Sequence, residues 1–258
     1  MALDEAIHRA VSTGDSPPTF RLFEWSHGAI TFGYAQRRDD ILDFERCIKD
    51  GVDVARRPTG GRAVFHNNEI AYSVTALTDE SHFGGNIQKT YRAISGILCE
   101  GIALLGVNVI LSSSTDDAGK TPIRSHMSPC FVTTTRHEIT VGGKKLVGSA
   151  QRRFKNSFLQ QGSILTGPGF ERITEYMKDN DLVEHYKQLL LEKSIDLSTV
   201  LKKTIDVQIL KAFLEDSFRK AVGNELDVGV PTDAELNMAQ CIVMDHKGPK
   251  GVVMNHEQ

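Results

Sequence analysis

The run Arg56-Arg57-Pro58-Thr59-Gly60-Gly61-Arg62-Ala63-Val64-Phe65-His66 constrains this chain more than any other. It reads as a strand ending in two arginines, a sharp glycine turn and a second strand. Pro58 fixes its own φ and disfavours helix at Arg57. Gly60 and Gly61 accept positive φ and let another group come close to the backbone. Asn-Gly would close an ordinary hairpin. A Pro-Thr-Gly-Gly-Arg tip therefore points to a ligand lying against main-chain N–H groups. The alternative is a decorated hairpin, because glycine-rich turns are common.

The rest of the composition narrows what that ligand can be. The chain has 258 residues, 40% of them hydrophobic and 24% charged, with a formal net charge of −3. This suits one large domain, or one domain with a small appendage. No basic excess points to nucleic acid. The cysteines Cys47, Cys99, Cys130 and Cys241 form no CxxC pair and suit neither a zinc site nor a disulfide scaffold. No apolar run reaches the ~18–20 residues of a membrane helix, and the N-terminus lacks the pattern of a signal peptide. The expectation is a cytoplasmic, monomeric protein with reduced thiols, no membrane segment and no metal.

Periodicity gives the elements. Residues 2–12 should form an amphipathic helix, ended by Gly14 and Pro17-Pro18. Strands follow at Phe20–Trp25, Ala29–Tyr34, Val52–Arg57, Ala63–His66 and Glu69–Ala76, with a short helix over 40–50 closed by Gly51. A helix over 87–105 buries Ile87, Tyr91, Ile94, Ile97, Leu98 and Leu104. After a strand at Val107–Leu111, the polar stretch 112–129 reads as a long loop of functional character. Strands at Phe131–Val141, Lys145–Arg152 and Ser157–Leu165 follow, the first two joined at Gly142-Gly143. The remainder is mostly helical, with Leu189, Leu190 and Leu191 as core, helices over 205–221 and 232–244, and a frayed tail from Lys247. The class is α+β.

Few residues stand out for chemistry. Cys130 follows the long loop, beside a glycine-rich site, where a cation or base would make its thiol a nucleophile. Cys47, Cys99 and Cys241 lie in expected helices and read as small core residues. Lys145, just past the Gly142-Gly143 turn, suits proton transfer or carbonyl polarisation if desolvated, and a solvated hairpin lysine otherwise. His126 is the rival base, and His66 shapes a pocket or holds a structural hydrogen bond. Gly148-Ser149-Ala150 is a second small-residue segment, where a ligand or backbone approaches closely. Walker-type, GxGxxG, HExxH and Gly-x-Ser-x-Gly motifs are absent.

Taken in order, these motifs resemble a known family. Arg56–His66 with Glu69-Ile70-Ala71-Tyr72-Ser73 is similar to the signature loop of the biotin/lipoate protein ligase superfamily. Lys145-Leu146-Val147-Gly148-Ser149-Ala150-Gln151 resembles its second signature, which carries the family lysine, and Gln161-Gly162-Ser163-Ile164-Leu165 a third segment. Cys130-Phe131 and Arg62 look like the ligase-like (LipM-type) octanoyltransferases; typical ligases carry another glycine at Arg62. The chain departs from the pattern at Asn67-Asn68 and Val132–Arg136, and it lacks the family strand before Met1, which reads as a truncated start.

The resemblance implies a class II biotin/lipoate-ligase-like catalytic domain, with mixed, mostly antiparallel sheets flanked by helices. The domain would span 1–225, with 226–258 as a helical extension. It implies octanoyl transfer from acyl carrier protein through a Cys130 thioester, with Lys145 as partner. The acceptor would be a lipoyl-domain lysine, as on the glycine cleavage H protein. Arg57, Thr59, Gly60, Gly61, His66, Gly148, Ser149 and Ala150 would bind substrate. Arg56, Arg57 and Arg62 would meet acidic partner surfaces, or be paired surface charges. No cofactor is implied; ATP and Mg enter only if the chain is a lipoate ligase. A non-catalytic acyl- or lipoyl-binding protein is the third reading.

Overall fold

The computed structural model describes residues 1–37, 42–112, 138–223 and 226–246. Cys130, His126, the start of the strand expected at Phe131 and the tail from Lys247 lie outside those residues.

The chain opens with α1 (Ala2–Thr13), then β1 (Thr19–Phe23), β2 (Ala29–Phe32), α2 (Phe44–Lys49), β3 (Asp53–Arg56), β4 (Val64–His66) and β5 (Glu69–Leu77). Next come α3 (Ile87–Ala103), β6 (Ile110–Leu111), β7 (Ile139–Val141), β8 (Lys144–Arg153) and β9 (Ser157–Leu165). A 3₁₀ helix (Phe170–Tyr176) leads to α4 (Val183–Lys193), α5 (Leu197–Leu201), α6 (Val207–Ala221) and α7 (Asp233–His246). Asp43, Asn86, Asp196 and Asp206 start α2, α3, α5 and α6 by accepting backbone N–H bonds on their side chains.

The strands form two sheets. Six antiparallel strands run β1-β5-β9-β8-β7-β6, and three run β3-β2-β4. One face of the large sheet packs on α3 and α6, burying Ile70, Tyr72, Val74, Ile94, Leu98, Leu210, Leu214 and Phe218. Each such apolar side chain contributes ~1.5–3 kcal/mol by leaving water. The small sheet packs through Ile30, Val54 and Phe65 on Phe170, Tyr176 and Leu190.

The Arg56–His66 run is not a hairpin. β3 pairs parallel with β2, and β4 pairs antiparallel with the other edge of β2. The glycine segment therefore crosses the end of β2. Smaller expectations also change. Ile87, Leu104 and Leu191 are exposed, because the buried stripe of α3 runs instead through Thr90, Ile94, Ser95, Ile97, Leu98, Gly101 and Ile102. Cys47 is buried and Cys99 half-buried, as expected, but Cys241 is exposed.

Two polar residues, Asp4 and His8, sit on the buried face of α1. His8 packs on Phe154 with ring centroids 4.1 Å apart and planes tilted by 35°, and its Nε2 lies 3.0 Å from Ser157 Oγ. Burial pushes its imidazole down to about 4 from an ordinary value of 6.5, and Arg152 and Arg9 add to this against Glu5. Between those values the unfolded chain binds the extra proton. This contribution to stability is therefore intact above pH 6.5 and is lost as the pH falls toward 4. A urea midpoint should drop between pH 7 and pH 5 in the wild type, and the drop should shrink in His8→Phe.

Candidate active site

The glycine segment is held in place by Arg57. Its guanidinium is buried, at 6% exposure, and donates from Nη1 to Thr31 O and Thr31 Oγ1, at 3.0 and 2.6 Å. Nη2 donates to Gly60 O and Arg62 O, at 3.1 and 2.7 Å. Arg57 is thus a staple for the loop rather than a charge offered to a partner surface. Gly61, at φ 88°, takes a conformation that favours glycine. The tightest approach falls on Gly33, where an added Cβ would sit 2.1 Å from Gly61 O.

Thr59 ties this loop to the large sheet. Its Oγ1 donates to Gln161 Oε1 at 2.9 Å, and Gln161 Nε2 donates to Asp4 Oδ2 at 2.6 Å. Asp4 also accepts from Ser73 Oγ at 2.8 Å and pairs with Arg21.

Between the loop and the sheet lies a narrow slot of about 30 Å³. Its walls include Arg57, His66, Gly148, Ser149 and Ala150, together with Met1, Phe23, Val64, Ala71, Tyr72, Gln161, Gly162 and Ser163. Five of the eight expected substrate-binding residues therefore meet there. Thr59 and Gly60 support the loop behind the wall, and Gly61 approaches it, its would-be Cβ 3.6 Å from Ala150 Cβ. His66 is held on both ring nitrogens, by Glu69 Oε1 at 2.6 Å and Thr31 Oγ1 at 2.5 Å, and stacks on Trp25 at 4.4 Å. It is thus both a wall residue and a structural hydrogen-bond partner. Burial pushes the Tyr72 phenol up to about 12. It stays neutral and serves as a hydrogen-bond post for Ser149 Oγ (2.6 Å) and Gln160 Nε2 (3.0 Å).

Lys145 is the second residue of the strand that supplies Gly148–Ala150 but is not a slot-wall residue. It is 3% exposed, and Nζ donates to Glu138 Oε1 at 2.6 Å in a fully buried pair. The solvated-lysine alternative is therefore excluded. Its backbone is fixed as well, since Ile195 N donates to Lys145 O at 3.0 Å. The pairing of β7 with β8 slips here, from Ile139↔Val147 to Thr140↔Lys145, leaving Leu146 as an extra residue. Such a bulge re-aims the side chains beside it. β7 covers β8 only over Lys144–Val147, so from Gly148 onward that edge has no strand partner among the described residues. Cys130 lies outside the described residues, so its place relative to Lys145 is not part of this geometry.

Sequence reasoning missed Gly33, Glu138, Asp4 and Arg152. Asp4 had a readable signal, a carboxylate on the apolar stripe of an amphipathic helix. Gly33 and Glu138 had none, because each acts through a long-range neighbour. Among the described residues no cluster of His, Cys, Asp and Glu suits a metal ion, and no helix is long and apolar enough to cross a membrane.

A six-stranded antiparallel sheet and a small glycine-looped sheet, with a small-residue slot and a buried lysine on one strand, make up the catalytic-domain architecture of the lipoate-protein ligases matched below. The chain belongs to the lipoyl protein ligase A/B catalytic domain family, whose model matches residues 1–219. It is 33% identical to octanoyltransferase LipM of Kyrpidia tusciae over 242 residues, 93% of this chain and 88% of that one. It is 34% identical to octanoyltransferase LipM of Symbiobacterium thermophilum over 245 residues, covering 94% and 89%. The fold matches a lipoate-protein ligase A solved with ATP, at TM-score 0.73 and 21% identity, covering 95% of this chain and 88% of that one. It also matches a bipartite lipoate protein ligase from Thermoplasma acidophilum, at TM-score 0.75 and 20% identity, covering 95% and 86%.

Proposed function

We propose that this protein is an octanoyltransferase of lipoate biosynthesis that works through a Cys130 thioester. The observation that carries the chemistry is the buried Lys145, paired with Glu138 from beside the neighbouring strand, on the strand whose later residues Gly148–Ala150 line the slot. The octanoyl group follows from relatives named for that transfer across most of the chain.

In this reading the octanoyl chain parts the walls of the slot between Gly148–Ala150 and the Arg57-stapled loop, since the slot as it stands has room for about one water. The Cys130 thiolate attacks the carbonyl of octanoyl-acyl carrier protein, the donor's C–S bond breaks, and the carrier leaves as a thiolate that takes a proton from water. Lys145, with its ammonium oriented by Glu138, stabilises the thiolate and polarises the carbonyl. Main-chain N–H groups near Gly148–Ala150 support the developing oxyanion. The neutral ε-amine of a lipoyl-domain lysine then attacks the acyl-enzyme, the enzyme's C–S bond breaks, and an amide forms as one proton passes to water and the thiolate returns. The glycine cleavage H protein is the acceptor we would try first. No ATP and no metal enter these steps.

The test is transfer without nucleotide. Octanoyl-acyl carrier protein and an apo lipoyl domain, mixed with the enzyme in ATP-free buffer, should yield octanoylated lipoyl domain. Modification only with free octanoate or lipoate plus ATP would establish a ligase instead.

A further inference from the structure

The side chain of Glu69 is 1% exposed, and only one of its two oxygens is used. Oε1 accepts from His66 Nδ1 at 2.6 Å and from Ser163 Oγ at 2.8 Å. Oε2 is buried with no hydrogen-bond partner among the described residues. A buried carboxylate oxygen without a donor is costly, so such an atom asks for a function. His66 and Ser163 both line the slot, and Ser163 sits directly across from Gly148. Glu69 therefore stands one side chain behind the slot wall, at the level of Gly148. It also lines a second cavity of about 540 Å³, together with Glu24, Trp25, His27, Thr166 and Ser198. Trp25 stacks on His66 at 4.4 Å, so Trp25, His66 and Glu69 form a partition between the two hollows. The cavity is at the Lys145 end of the sheet: Ser198 N donates to Thr166 O at 3.1 Å, and Ile195 N, in the same segment, to Lys145 O at 3.0 Å. No lysine or arginine lines it. Glu24 is taken by Lys211 at 2.6 Å, and His27 faces Asp53 at 2.8 Å. Glu69 is thus the buried carboxylate of this cavity, with one oxygen to spare.

We propose that the acceptor lysine reaches the acyl-enzyme through this cavity, and that Glu69 Oε2 takes the proton its amine sheds. The inference rests on the transfer reading above. The wall suits an amine-bearing side chain: no cation repels it, and the Trp25 ring attracts positive charge. Attack on the acyl carbon leaves the amine nitrogen positively charged. A carboxylate beside it stabilises that charge and then removes one N–H proton. The C–S bond breaks, the Cys130 thiolate returns, and the amide remains. Glu69 passes its proton to water in the cavity and is a carboxylate again. Lys145 is not free for this step, since Glu138 holds it and it serves the thiolate. When the slot parts for the acyl chain, the partition opens at His66, and the carboxylate bonded to it comes within reach of the reacting nitrogen.

The experiment separates the two half-reactions. The full chain is acylated with octanoyl-acyl carrier protein, freed of donor, mixed with an apo lipoyl domain and followed by intact mass. Glu69→Gln keeps an oxygen for His66 and Ser163 and replaces the free one. It should slow transfer to the lipoyl domain by about 100-fold and change acylation by the donor by less than about threefold. In Glu69→Ala, sodium formate should enter the cavity and restore transfer by about tenfold. Thr204→Arg adds a cation at an exposed position of the cavity wall and leaves Glu69 intact. It should raise the KM for the lipoyl domain by about threefold. Equal losses in the two half-reactions of Glu69→Gln would overturn the proposal and make Glu69 a support of the slot wall. So would full transfer by that variant, the absence of formate rescue, or an unchanged KM in Thr204→Arg. Failure of the wild type to form the acyl-enzyme would instead overturn the transfer reading itself.

Discussion

Replacing Lys145 with Met is expected to lower octanoyl transfer by roughly two to four orders of magnitude, the range for a group that moves or stabilises a proton in the transition state. The same change should destabilise the fold. Lys145 and Glu138 are 2.6 Å apart and both buried, and removing one member of a buried pair costs about 3–5 kcal/mol. The two effects separate in a double variant. Lys145→Met with Glu138→Leu removes both charges and should recover much of the stability, since apolar replacement of a buried pair is often neutral or better. It should recover none of the activity. Initial rates and urea midpoints on the three proteins decide the matter. A Lys145→Met enzyme that keeps more than about a tenth of wild-type activity would remove Lys145 from the chemistry.

Gly33→Ala should be the most damaging single methyl addition near the slot. Its Cβ would lie 2.1 Å from Gly61 O and 2.9 Å from Gly60 C, so the backbone of the loop must move. Overpacking of this kind costs about 1–3 kcal/mol, which for a chain of this length is a fall of several degrees in melting temperature. The displaced loop would also lose its register with Arg57 and open the wall of the slot, so acylation should fall with stability. Gly60→Ala is the control. A methyl there meets nothing within 4 Å, so the melting temperature should hardly change. Equal losses in the two variants would show that the loop is not held by close approach to Gly33.

That contrast shows what the sequence could and could not reveal. Gly60 and Gly61 announce themselves because they adjoin Pro58 and two arginines. Gly33 is an ordinary strand-end glycine until the loop is seen to cross it. The strand from Glu69 was legible because Ile70, Tyr72, Val74 and Ala76 recur with period 2 and join the core on α3 and α6, and so was the apolar stripe of α6. The order of the small sheet was not, because β2 reaches between β3 and β4 from about twenty residues upstream, and local pattern carries no record of such insertions. Lys145 was legible through its motif, but its burial was not. Burial depends on Glu138 across a turn and on the Leu146 bulge, and both are features of pairing rather than of spacing. Arg57 read as a substrate-binding residue or a surface charge, and its role as a staple was hidden because the acceptors Thr31 O, Gly60 O and Arg62 O are carbonyls, which every sequence has everywhere.

This enzyme should carry its acyl group on a cysteine. The intact mass of the protein after incubation with octanoyl-acyl carrier protein alone, without ATP or acceptor, tests it most directly. One octanoyl adduct that hydroxylamine removes, present in the wild type and absent in Cys130→Ser, is the expected result. A wild-type protein that stays unmodified yet octanoylates a lipoyl domain, or an adduct that survives in Cys130→Ser, would contradict it.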